Sequence, residues 1–213
     1  LEAAAECIKE GCDVYPEIMV PQVCTSMELI RVKSYVNEIH NEVKEKYEID
    51  VRFKFGSMME VVRACMRADQ LAEEAEFFSF GTNDLTQAAF SFSREDAENK
   101  FLPMYNQRGI LQDNPFEVLD TKGVGKLMEI AVEWGRRARP GLTVGICGEL
   151  AGNPLATILM MGLGVDSLSM SAGSLMKVKW VVRSFTQAQA QELLDEVWEL
   201  TTQSESLTLV TLF

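Results

Sequence analysis

Histidine is almost missing from this chain of 213 residues: His40 is the only one. Cysteine is scarce too, and the five present (Cys7, Cys12, Cys24, Cys65 and Cys147) are an odd number with no tight paired spacing. Together these shortages disfavour a zinc centre, which needs a defined set of His and Cys ligands, and a disulfide framework. The thiol pattern suits a reducing cytoplasm. Positive charge is also short, with 20 Lys and Arg against 32 Asp and Glu, a net charge of −12. Nucleic-acid phosphates need a basic face, so that partner class is excluded. No apolar run approaches the roughly 20 residues of a membrane helix. No secretory leader is seen, because the first residues are acidic rather than basic and then apolar. The chain opens on Leu1, already inside a helix-like stretch, and is expected to be a piece of a longer polypeptide.

What is present is a rhythm of short strands and longer helices. Strand-like segments are 13–21, 51–56, 77–81, 142–147 and 167–171, apolar or β-branched and mostly ended by Gly or Pro, as buried parallel strands are. Between them run helical patterns. Thr25 with Glu28 reads as a capping box, followed by an apolar stripe at Leu29, Val32, Val36, Ile39 and Val43. His40 is expected on the solvated side of that helix. A second stripe, Val124, Leu127, Ala131, Trp134 and Ala138, stops before Pro140. Asn153 followed by Pro154 opens another helix, and a last one is expected over 188–200. Five alternations imply parallel strands joined by crossovers. Glu60, Asn83 with Asp84, Cys147 with Glu149, and Ser171 all fall at or just past the ends of strands. Several strands contributing polar residues at one end favours a (β/α)8 barrel over an open sheet with a single crevice. Only five βα units of such a barrel fit in this chain.

The chemistry gathers at those ends. Glu60 and Asp84 close consecutive strands, which lie about 4.8 Å apart in a sheet. Two such carboxylates can share a divalent cation, and oxygen ligands without histidine suit Mg²⁺ or Mn²⁺. The plainer alternative is that each acid caps the helix after it. Arg94, ten residues beyond Asp84, offers a planar fork for a phosphate or carboxylate; alternatively it pairs with neighbouring Glu95 or Asp96. Cys147 is either a thiol delivered to the barrel mouth to carry a proton or an inert core residue. The GVGKL of 123–127 lacks the residues of a phosphate loop. Nothing here is a good phosphorylatable histidine.

Six stretches, PEIMVP (16–21), GSMMEVVRA (56–64), FFSFGTNDLTQ (77–87), FSRED (92–96), FLPMY (101–105) and VGICGE (144–149), resemble the C-terminal domain of the PEP-utilising enzymes. This family includes pyruvate phosphate dikinase, phosphoenolpyruvate synthase and enzyme I of the bacterial sugar phosphotransferase system. The resemblance covers nearly all of residues 1–185, leaving 186–213 as a terminal helix and a tail without a match. It implies an α/β fold, the last five units of a TIM-type barrel that binds phosphoenolpyruvate and pyruvate. It further implies that Glu60 and Asp84 hold Mg²⁺ and that Cys147 is the general acid/base. Asn83 and Arg94 would contact the phosphoryl group within a substrate-binding stretch that includes Gly81, Thr82 and Asp84. The phosphohistidine partner would sit on a domain absent from this chain, and the isolated piece is expected to be an inactive homo-oligomer.

The pattern also departs from the family. The dikinase character is strongest through 92–120. The stretches 148–157 and 167–185 are more similar to enzyme I, and the histidine expected after CGE is absent. Val62 stands where the family usually has proline. An enzyme I-type fragment is therefore the alternative phosphotransferase, and a partial barrel that folds only against a partner is the non-enzymatic one. A lyase of the citrate lyase or malate synthase kind shares a similar barrel and Mg²⁺ carboxylates, but the GTNDLTQ and CGE pair points away from it.

Overall fold

The computed structural model describes residues 1–200 and 208–211. Along the chain come α1 (Glu2–Lys9), β1 (Glu17–Val20), α2 (Ser26–Tyr47), β2 (Lys54–Met59), α3 (Val62–Cys65), α4 (Ala68–Glu74) and β3 (Phe77–Gly81). Then follow α5 (Thr82–Phe90), α6 (Arg94–Lys100), α7 (Leu102–Gln107), α8 (Val124–Ala138), β4 (Thr143–Cys147), α9 (Pro154–Gly162), β5 (Ser167–Ser169), α10 (Ala172–Ser184) and α11 (Gln187–Glu199).

The five strands form one sheet in the order β1-β2-β3-β4-β5, every neighbouring pair parallel. A doubly wound sheet reverses its strand order at a switch point. This sheet never reverses, which is the winding of a partial (β/α) barrel. Side chains alternate across it. One face carries Ile18, Val20, Phe55, Met59, Phe78, Phe80, Val144, Ile146 and Leu168, and these join the main core together with residues of α2, α4, α8, α9 and α11. The other face carries Met19, Lys54, Met58, Phe77, Ser79, Thr143 and Cys147, a more polar set that lines a hollow or the site above it.

Local signals agree with these elements. Thr25 and Glu28 form the capping box of α2. The Asn153 side chain accepts hydrogen bonds from the backbone N–H groups of Leu155 (2.9 Å) and Ala156 (3.3 Å), with Pro154 in the first turn of α9. The second strand is shifted from expectation: it begins at Lys54 rather than at residue 51 and runs through Met59, so the GSMM stretch lies within it. The reason is the register, which pairs Lys54 with Glu17 at one end and Met59 with Phe80 at the other. His40 also differs. It is half-buried, edge-on to Phe53 at 5.2 Å, with Nε2 3.1 Å from Asp50. The stretch 90–119, unassigned from periodicity, holds α6 and α7 around a small core of its own: Ala97, Leu102 and Phe116, flanked by Phe92, Phe101 and Leu111. In the tail, Val210 is buried in the main core; residues 201–207 and 212–213 lie outside the described residues.

Candidate functional site

The register sets the site. Gly81 and Cys147 are paired at the ends of β3 and β4, and Met58 is paired with Ser79. Two residues beyond Met58, alternation returns Glu60 to the inner face, so Glu60, Gly81 and Cys147 stand in one row at the carboxyl rim of three strands. With Gly81 the row has a gap at its centre. A Cβ there would lie 2.5 Å from Oε2 of Glu60. Its φ of −88° suits any residue, so the glycine is required for space and not for its backbone.

Glu60 is only 3% exposed. Its Oε1 accepts a hydrogen bond of 2.7 Å from the backbone N–H of Gln22, which follows β1 with a left-handed φ of 53°. Burial raises the proton affinity of Glu60, the Gln22 bond opposes this, and the carboxylate of Asp84 beside it raises it further. Asp84 lies exposed in the first turn of α5, where the helix dipole favours an acid. Neither acid caps a helix: α3 starts from Val61 and α5 from Gly81, each without a side-chain cap. Two carboxylates in contact, one of them buried, repel unless a proton or a cation lies between them. The pair thus fits a divalent cation, although no larger group of His, Cys, Asp and Glu suited to a metal occurs among the described residues.

Asp84 and Arg94 are joined through a residue that motif spacing alone did not single out. Gln87 donates from Nε2 to Oδ1 of Asp84 (3.1 Å) and accepts from the backbone N–H of Arg94 (2.9 Å). The guanidinium donates to Oδ1 of Asn83 (3.4 Å) and to Oε2 of Glu149 (2.8 Å), with Glu98 at 3.3 Å. It also lies over the ring of Phe116 at 5.4 Å. The expected alternative, pairing with Glu95 or Asp96, gives way to helix geometry: α6 starts at Arg94, so its fourth neighbour Glu98 faces it. Asp96 pairs with Lys100 instead.

Cys147 is half-buried. Its thiol donates to the carbonyl of Phe80 (3.4 Å), and Ser79 Oγ approaches the sulfur at 3.7 Å. Thr82, buried at 1% exposure, donates from Oγ1 to the carbonyl of Cys147 (3.4 Å), linking the ends of the two strands. Glu60, Gly81, Thr82, Asn83, Asp84 and Cys147 all line one cavity of about 330 Å³, whose wall also includes Gln22 and Met58. A larger hollow of about 460 Å³ runs down the inner face of the sheet and shares Cys147. Of the expected residues only Arg94 stands outside the smaller cavity, tied to it through Asn83. Sequence reasoning missed Gln22, Glu98 and Glu149 as partners. Glu149 lay in the CGE stretch, whereas Gln22 and Glu98 gave no signal of role, since their contacts arise only on folding.

Residues 2–187 match the family described as PEP-utilising enzyme, PEP-binding domain. A pyruvate, phosphate dikinase of Entamoeba histolytica is 53% identical over 173 residues, 81% of this chain and 20% of the relative. The chloroplastic pyruvate, phosphate dikinase 1 of Oryza sativa is 50% identical over 170 residues, 80% of this chain and 18% of its own length. That of Clostridium symbiosum is 48% identical over 172 residues, again 80% and 20%. The chain spans about a fifth of the length of these curated relatives. On the extent of the family match and the identity to these dikinases, this chain belongs to the PEP-binding domain family of the PEP-utilising enzymes.

Proposed function

We propose that the carboxyl rim of this sheet is the phosphoenolpyruvate and pyruvate site of a pyruvate phosphate dikinase-like phosphotransferase. The observation that carries the reading is the row of Glu60, Gly81 and Cys147, with Asp84 against Glu60. It puts two facing carboxylates and a thiol on one cavity of about 330 Å³. Glu60 and Asp84 are the residues that would hold Mg²⁺ or Mn²⁺. Bound there, the cation would offset negative charge on the carboxylate and enol oxygens of the substrate.

The chain's own groups do the rest. Gly81 leaves the space between the acids and the thiol that a three-carbon acid needs. Arg94 and Asn83 bind the phosphoryl oxygens, and the guanidinium exchanges its contact with Glu149 for them. The backbone of Thr82 and the first turn of α5 add donors beside Asp84. Cys147 carries its proton on Sγ, poised on Phe80, and passes it to the methylene carbon of the enolate to complete pyruvate. Ser79 Oγ then supports the sulfur that has lost its proton. The phosphoryl group is exchanged with a phosphohistidine carried on another domain, since His40 lies on α2 against Phe53 and Asp50. The free cysteines support a reducing compartment for the parent.

Calorimetry with oxalate, a mimic of the enolate, tests this reading. Binding is expected with Mg²⁺ and not without it. Asp84→Asn should weaken it by more than the roughly 10–100-fold that losing an outer partner of a metal ligand costs. Cys147→Ser should bind oxalate within about threefold of the unaltered chain, because the thiol acts on carbon and holds no metal. Equal binding by Asp84→Asn would overturn the assignment.

A further inference from the structure

Cys7 and Cys12 belong to no part of the site above, and they are brought together by the end of α1. The backbone N–H of Cys12 donates to the carbonyl of Cys7 (2.9 Å), and that of Gly11 to the carbonyl of Ile8 (3.0 Å). Gly11 is left-handed, with φ of 84°. This is the double hydrogen-bond pattern of a Schellman cap, which ordinarily packs the side chains of the two outer positions on each other. Here both of those positions are cysteine.

The geometry admits a bond between them. A hydrogen bond of 2.9 Å from the N–H of Cys12 to the carbonyl of Cys7 limits their Cα separation to about 6.7 Å at standard bond lengths. Disulfides span Cα separations of about 4.4–6.8 Å. Cys12 is exposed and Cys7 half-buried, so one thiol meets solvent and the other stands behind it. Cys65, by contrast, is fully buried at 0% exposure.

We propose that Cys7 and Cys12 form a redox-sensitive dithiol, closed into an intrachain disulfide by a low-molecular-weight disulfide such as oxidised glutathione. The Cys12 thiolate attacks one sulfur of the reagent, forming a mixed disulfide and releasing one molecule of thiol. The Cys7 thiolate then attacks the Cys12 sulfur and releases the second. Two protein thiols are oxidised to one disulfide, and one reagent disulfide is reduced to two thiols. Excess reduced thiol runs the same steps backwards. The bond fixes the left-handed cap of α1, before the loop that enters β1 at the end of the sheet opposite the carboxyl rim.

The sequence supplies a clean readout, because Lys9 lies between the two cysteines. Trypsin divides this region into peptides 1–9 and 10–31, and the Cys24→Ser background leaves one cysteine in each. After treatment of the full chain with oxidised glutathione, the two peptides are expected to run as one species. It should be lighter than their sum by two hydrogens and be separated by reduction. Cys7→Ser should instead accumulate the glutathione adduct on Cys12. Gly11→Ala, which strains the left-handed cap, should slow closure by about fivefold or more. Separate peptides with a lasting glutathione adduct on Cys12 of the Cys24→Ser chain would overturn the proposal, as would closure in Gly11→Ala at an unchanged rate.

Discussion

Glu60 and Gly81 show how a single position sets the chemistry. The carboxylate of Glu60 occupies the space that any side chain at 81 would need, with a Cβ placed 2.5 Å from Oε2 and 3.1 Å from its Cβ. The backbone of Gly81 is not strained, so Gly81→Ala should leave the fold standing and push the carboxylate aside. Its Mg²⁺-dependent oxalate affinity is expected to fall by about tenfold or more, as for a disturbed outer partner of a metal ligand. Its melting temperature should move far less than that of a core truncation. Calorimetry and thermal unfolding of the same sample check both halves, and unchanged affinity would mean that Glu60 is not held in place for binding. At this scale the sequence was readable as residue types: Glu60, Asp84 and Cys147 were singled out by their positions at or just past strand ends, and Arg94 by its place ten residues beyond Asp84. The links between them were not, because Gln87 meets both Asp84 and Arg94 only after α5 has turned and the chain has doubled back at Ser91.

Helix ends show the same division at the scale of elements. The α2 capping box was legible as Thr25 and Glu28, since it depends on residues three apart. Glu28 accepts from the backbone N–H groups of Cys24 (2.8 Å) and Thr25 (2.9 Å), and chiefly these bonds lower its pKa from the usual 4.5. A carboxyl whose folded pKa is lowered contributes stability above its unfolded value and loses it as pH falls through the folded one. The melting temperature of Glu28→Gln should therefore lie below that of the unaltered chain at pH 7, and the gap should close as pH drops below about 4.5. A gap independent of pH would show that the charge of Glu28 does not matter. The α8 stripe was only partly legible: Val124 and Ala131 are buried as its period suggests, but Met128, Val132 and Gly135 are buried beside them. Helix α8 packs against the sheet, where Gly135 meets Phe78, and also against its neighbour α4, so its covered arc is wider than the five-residue stripe. The cluster of 90–119 gave no periodic signal because α6 and α7 have only 7 and 6 residues, too short to show an apolar face.

For the whole molecule, the strand order and the crowding of polar residues at one rim followed from the alternation of strands and helices. The surfaces left uncovered did not. Helix α10 exposes Leu175, Met176, Trp180 and Val182, with Trp180 71% exposed, beside β5 at one edge of the sheet. Exposed apolar surface favours association, while a net charge of −12 opposes it. Salt screens the repulsion and leaves the apolar attraction. Sedimentation velocity should therefore show the chain associating more strongly as salt is raised, and Trp180→Glu should weaken that association; a monomer at every salt concentration would exclude this surface as an interface. The central claim is the cation site between Glu60 and Asp84, and its most direct measurement is Mn²⁺ binding followed by electron paramagnetic resonance. The chain is expected to remove one equivalent of Mn²⁺ from the free signal, more tightly with oxalate, and both Glu60→Gln and Asp84→Asn should lose that site while remaining folded. Mn²⁺ retained equally by the two variants would contradict it.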